Sequence, residues 1–134
     1  MPAHVVEQAA QGLNRKGKAL NGAEILILGV AYKRDIEDIR ESPALSIIRL
    51  LEQKLATVRY HDPHVPMLRS RNLEREMLSV ELTRDAVDSA DAVIIVTDHS
   101  DVDYGFVLRH AQLVIDTRNA TGPLRKEGDP VLLA

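Results

Sequence analysis

The chain has 134 residues, of which 45% are hydrophobic and 28% charged, a globular composition long enough for one domain with its own core. A net charge of −3 excludes a global basic field for DNA, RNA or anionic lipid, and 3% aromatic residues leave few stacking surfaces for single strands. With no cysteine, disulfides, thiolate metal sites and cysteine nucleophiles are excluded within these residues.

In chain order, Val5, Val6, Ala9, Ala10 and Leu13 fall on one face and predict a helix over residues 3–16, leaving at Asn14–Gly17. Such a helix either folds back on the sheet or ends an element shared with a preceding domain or a second subunit. An apolar patch on residues 5–13, left exposed, would drive dimerisation. Lys18–Ala23 is a turn-rich lead, and Ile25–Leu28 is an unbroken apolar run ending at Gly29, as expected of a strand covered on both faces. A polar loop of about a dozen residues follows, long for a strand-to-helix connection. It sets Lys33, Arg34 and Arg40 at the carboxyl end of the strand, where open α/β sheets bind ligands.

Ser42 is the expected N-cap and Pro43 the first helical residue. The helix runs to about Leu55 and turns Ala44, Leu45, Ile47, Ile48, Leu51 and Leu55 inward. Thr57–His61 is a second strand, closed by Asp62-Pro63. Val65–Leu68 reads as a helical turn, residues 69–76 as solvated charged chain, and Ser79–Leu82 as a short edge strand. Thr83 or Asp85 caps a brief helix through Ser89. Ala92–Thr97 is a buried strand, Asp101–His110 a helix or irregular helical turn, and Leu113–Thr117 the last clear strand. From Thr121 onward Gly-Pro, Gly128 and Asp-Pro predict a loosely ordered tail. The alternation predicts an α/β, Rossmann-like doubly wound fold: a mainly parallel sheet of about five strands, helices on both faces and an N-terminal helix. The expected divisions are 1–17, the helix; 18–120, the sheet domain; and 121–134, the tail. No apolar run reaches the length of a membrane span and no signal-like segment opens the chain, so the expected address is the cytoplasm, without membrane contact.

The loop after the first strand lacks both G-x-G-x-x-G and the Walker pattern, since only Gly29 is present. Phosphate contact would come from side chains, chiefly Lys33 as a point charge. Asp35, Glu37, Asp38 and Glu41 are either internal partners that shape the loop or solvated charges. His61, Asp62, His64, Asp98 and His99 lie near strand ends and are chemically capable of ligation, but no ligand motif spaces them and no metal is expected. Asp62-Pro63 and Asp98-His99 read as turns. Ser42, with no glycine elbow around it, is a cap rather than a nucleophile.

Four blocks carry a resemblance: Leu-Gly-Val-Ala-Tyr-Lys-Arg-Asp at 28–35, Asp-Ile-Arg-Glu-Ser-Pro-Ala-Leu at 38–45, Tyr-His-Asp-Pro-His-Val-Pro at 60–66 and Ile-Asp-Thr-Arg-Asn-Ala at 115–120. In this order they closely resemble the UDP-binding C-terminal domain of the UDP-glucose/GDP-mannose dehydrogenase family. Residues 1–6 look like the segment leading into that domain. The third block is more similar to the UDP-N-acetylglucosamine and UDP-N-acetylmannosamine enzymes than to the UDP-glucose ones. The resemblance implies an NAD-dependent oxidoreductase that takes C6 of a nucleotide sugar from alcohol to carboxylate in two hydride transfers. NAD would be held mainly by a separate N-terminal domain, with a catalytic cysteine that these residues do not include. This chain alone is therefore expected to be inactive and to carry no cofactor. Its partner is expected to be a UDP-sugar, a UDP-N-acetylhexosamine or UDP-glucose, and not nucleic acid; the intact enzyme would be a homodimer through the N-terminal helix. Tyr32 and Lys33 match the family's aromatic–lysine pair on the UDP-sugar, Arg118 an arginine near the substrate, and Arg40 one that reaches NAD. From the residues alone, Arg40 could instead pair with Glu37 or Glu41, and Arg118 with Asp116. The alternative function is a stand-alone nucleotide-binding or assembly module without catalysis.

Overall fold

The computed structural model describes residues 2–134 except 71, 72 and 74. The apolar run becomes β1 (Glu24–Leu28), whose Ile25–Leu28 are fully buried. It pairs in parallel with β2 (Thr57–His61) on one side and β5 (Ala92–Ile95) on the other. The sheet continues through β6 (Val114–Asp116) to β7 (Val131–Leu133), giving the order β2-β1-β5-β6-β7, all parallel. Alternation along each strand divides the core. Ile25, Ile27, Ile94 and Ile115 face α1 (Pro2–Arg15) and α2 (Pro43–Gln53). Leu26, Leu28, Ile95 and Val114 face α3 (Arg84–Asp88) and α4 (Tyr104–His110).

The first helix folds back on its own domain. Val5, Val6, Ala9 and Leu13 are at most 2% exposed, packed against α2 and beside β5 and β6. The exposed patch expected to drive dimerisation is therefore covered within the chain, because burying those side chains locally already removes their apolar surface from water. Helix α2 begins as expected: Ser42 Oγ accepts the Ala44 N–H at 3.2 Å and Pro43 occupies the first turn. It stops at Gln53, so Leu55 leaves the inward stripe, takes φ 68° and is 64% exposed. Thr83, not Asp85, caps α3, and Asp103 caps α4.

Three local expectations change. Val65–Leu68 is not a helical turn; Met67–Leu68 forms β3, antiparallel to β4 (Met77–Leu78), and the edge strand expected at 79–82 lies two residues earlier. Tyr60 organises this hairpin from below, its buried hydroxyl donating to Val65 O at 2.8 Å, with burial pushing its pKa up to about 12. Leu68 and Met77 close over it. Part of the expected solvated stretch 69–76 lies outside the described residues. Finally, the tail is not loose at its end: Val131–Leu133 completes the sheet, since β6 would otherwise present an open ladder. Among the described residues, no helix is long and apolar enough to cross a membrane.

Asp91 ties the amino end of the sheet together. Its Oδ2 accepts the Glu24 N–H and its Oδ1 the Lys18 ammonium, each at 2.8 Å. These contacts, the Glu24 N–H first, hold its carboxyl below the usual 3.8. A carboxyl whose pKa is lowered by folding contributes stability above its unfolded value and loses it as pH falls through the folded one. Asp91→Asn should therefore lower the melting temperature at neutral pH, with the gap to the native chain narrowing below about pH 4. Circular-dichroism melts across pH check this; a gap that stays constant down to pH 3 would refute it.

Candidate functional site

The strand order places the topological switch between β1 and β5, because the chain winds toward β2 on one side and toward β6 on the other. The loops after β1 and β5 therefore flank the ligand crevice. Gly29 turns the chain with φ +85° directly against Thr97; a Cβ there would sit 2.5 Å from both Thr97 Cβ and Thr97 O. The loop beyond is built on two buried groups. Asp62 Oδ2 accepts the N–H of Val30 at 2.8 Å and of Ala31 at 3.2 Å, and its Oδ1 accepts the His64 N–H at 2.8 Å. His99, also fully buried, lies with Nε2 2.9 Å from Asp62 Oδ2 and accepts the Asp35 N–H at Nδ1 over 2.8 Å. Thr97 Oγ1 donates to Ala31 O at 2.7 Å.

On this base the loop displays its cations. Tyr32 is 45% exposed and Lys33 is exposed; among the described residues neither side chain has a hydrogen-bond or ion-pair partner. Arg34 reaches across the crevice, its Nε donating to Asp98 O at 3.1 Å and its Nη2 to the Asp98 carboxylate. Asp35 accepts from the Ser100 N–H at 2.8 Å and from the Ser100 hydroxyl, contacts that keep its carboxyl below the usual range. Arg40 pairs with Asp38 rather than with Glu37 or Glu41. The same carboxylate accepts both the Arg40 backbone N–H at 2.9 Å and its guanidinium, a local turn that the two acids on either side cannot make. The Arg40 guanidinium lowers the Asp38 pKa to about 2.

Arg118 stands past the end of β6. Its Nε donates to Val96 O at 3.0 Å and not to Asp116, whose carboxylate accepts the N–H groups of Arg118, Ala120 and Thr121 and so shapes the turn. Arg118 lines a cleft of about 280 Å³ with Arg34, Asp98, Ser100, Tyr104 and Asn119. The structure thus brings Arg34 and Arg118 to one cleft at the carboxyl edge. Tyr32, Lys33 and Arg40 stand on the adjoining loop but do not line that cleft.

Two features escape a reading of the sequence. Asp62 and His99 were read as turn residues, yet they anchor the loop backbone. The only signal was that Asp62 directly follows the strand beside β1. Arg34 reads only as one of three cations at the carboxyl end of the first strand, and its partner Asp98 lies 64 residues away. The backbone at Gly29 does not fit a dinucleotide pyrophosphate as its main cradle, because Thr97 fills the space that the glycine leaves.

A doubly wound parallel sheet with basic loops at its switch point defines a Rossmann-like nucleotide-binding domain. Residues 26–123 match the UDP-binding domain of the UDP-glucose/GDP-mannose dehydrogenase family, and the chain belongs to that family. It is 31% identical over 125 residues to a UDP-N-acetyl-D-mannosamine dehydrogenase of Pyrococcus horikoshii, covering 89% of this chain and 27% of the relative. It is 32% identical over 123 residues to an NDP-N-acetyl-D-galactosaminuronic acid dehydrogenase of Ralstonia solanacearum, covering 87% and 26%. The solved Pyrococcus horikoshii UDP-N-acetylmannosamine dehydrogenase superposes with a TM-score of 0.75 at 27% identity, covering 98% of this chain and 30% of that one. The chain spans about a quarter of the length of these curated relatives.

Proposed function

We propose that this chain holds the UDP part of a nucleotide sugar, a UDP-N-acetylhexosamine in preference to UDP-glucose, for an NAD-dependent oxidation of C6 from alcohol to carboxylate. Lys33 takes the pyrophosphate as a point charge, Tyr32 lies beside it, and Arg118 approaches the substrate from the β6 side. Arg40 extends toward NAD, which is bound mainly by another domain of the intact enzyme. The observation that carries the reading is Lys33: an exposed ammonium without a protein partner among the described residues, at the carboxyl end of the central strand, on a loop pinned by Asp62 and His99. A charge-assisted contact of this kind contributes about 1.5–3 kcal/mol. Lys33→Ala should therefore weaken UDP binding by a factor of about ten or more in a calorimetric titration. Uridine, which lacks phosphate, should bind both proteins equally. Equal UDP affinity in the two proteins would refute the role of Lys33.

A further inference from the structure

We propose that His64, His99, Asp35 and Asp101 form a site for one divalent cation of the zinc type. The four donors come from three loops, those after β1, β2 and β5, and one atom from each lies within 4.8 Å of all the others. His64 Nε2 is 3.1 Å from Asp101 Oδ1 and 3.9 Å from Asp35 Oδ1, while His99 Nδ1 is 3.8 Å from Asp35 Oδ1. Four ligands around a tetrahedral ion at about 2.0–2.1 Å stand roughly 3.3 Å apart, near the separations here, and the Asp35 N–H must swing off His99 Nδ1 for the ion to enter.

A second observation, from outside the cluster, bears on the imidazole. The buried Asp62 carboxylate lies 2.9 Å from His99 Nε2, and the Asp35 N–H donates to Nδ1, so the proton sits on Nε2 and the lone pair on Nδ1. A carboxylate behind the far nitrogen is the support that metal-ligating histidines have. On binding, Nδ1 exchanges the Asp35 N–H for the ion. Charge points the same way. Among the described residues, Asp35 and Asp101 are within ion-pair distance of histidines only, whereas Arg34 is engaged by Asp98. Two imidazoles with two carboxylates suit zinc, and not the all-oxygen shells of magnesium or calcium. The ion would staple the Lys33 loop to the β5 loop.

The inference does not rest on the nucleotide reading, and its test uses no nucleotide. Zn²⁺ is titrated calorimetrically into the 134-residue chain, and Co²⁺ is followed by its visible absorption. One equivalent of Zn²⁺ should bind and raise the melting temperature reversibly with chelator. Co²⁺ should give the intense bands of a tetrahedral site. His64→Ala at a half-buried position and Asp101→Asn at an exposed one should each weaken binding about tenfold or more, while His4→Ala on α1 should leave it unchanged. Absence of saturable Zn²⁺ uptake would overturn the proposal. So would uptake that His64→Ala and Asp101→Asn leave intact, or that His4→Ala lowers as much as they do.

Discussion

Asp62→Ala is expected to destabilise the chain by about 3–5 kcal/mol, the range for removing one partner of a buried charged network. The carboxylate is fully buried, accepts backbone N–H groups from Val30, Ala31 and His64, and faces His99 Nε2. Alanine would leave those buried donors without their acceptor. The damage should spread outward along the loop, because His99 in turn holds the Asp35 N–H. Asp62→Asn keeps one acceptor oxygen but turns an amide toward donors, so its effect should lie between native and alanine. Urea unfolding measures the loss, and a cost under about 1 kcal/mol would show that the loop does not depend on this group.

Gly29→Ala should be nearly as harmful. The residue sits at φ +85°, where an L side chain is strained by about 1–3 kcal/mol, and the added Cβ would collide with Thr97 Cβ and Thr97 O at 2.5 Å. Overpacking of this kind adds about 1–3 kcal/mol. One of the two colliding atoms is backbone, so Thr97→Gly should not rescue the variant. Full rescue in a double-mutant unfolding cycle would mean that the side chain alone made the clash. The two substitutions act on one junction, the meeting of the β1 and β5 ends, from which the Lys33 loop departs.

Much of this was legible before any coordinates. Ile25–Leu28 and Ala92–Thr97 announce buried strands because a strand covered on both faces must be apolar throughout, and both form, the second ending two residues early at Ile95. Ser42-Pro43 signals its cap through local chemistry alone. Signals of two or three residues failed: β3, β4 and β7 are too short for any periodicity, and they form because neighbouring edges and Tyr60 offer them partners.

The site divides along the same line. Lys33, Tyr32, Arg40 and Arg118 could be picked out because they stand in recognisable blocks on strand-end loops, and the family they point to is the one to which the chain belongs. What surrounds them could not. Asp62 with His99, Arg34 with Asp98, and the meeting of Asp35, His64, His99 and Asp101 join residues up to 66 positions apart, from 35 to 101. By itself the sequence determined four of the five strands of the main sheet, the Ser42-Pro43 cap and the family, since periodicity, caps and motifs act over neighbouring residues. Only the tertiary structure decided which charges are already paired and which remain free, because electrostatic partnership depends on distance through space, and the sheet order sets that distance.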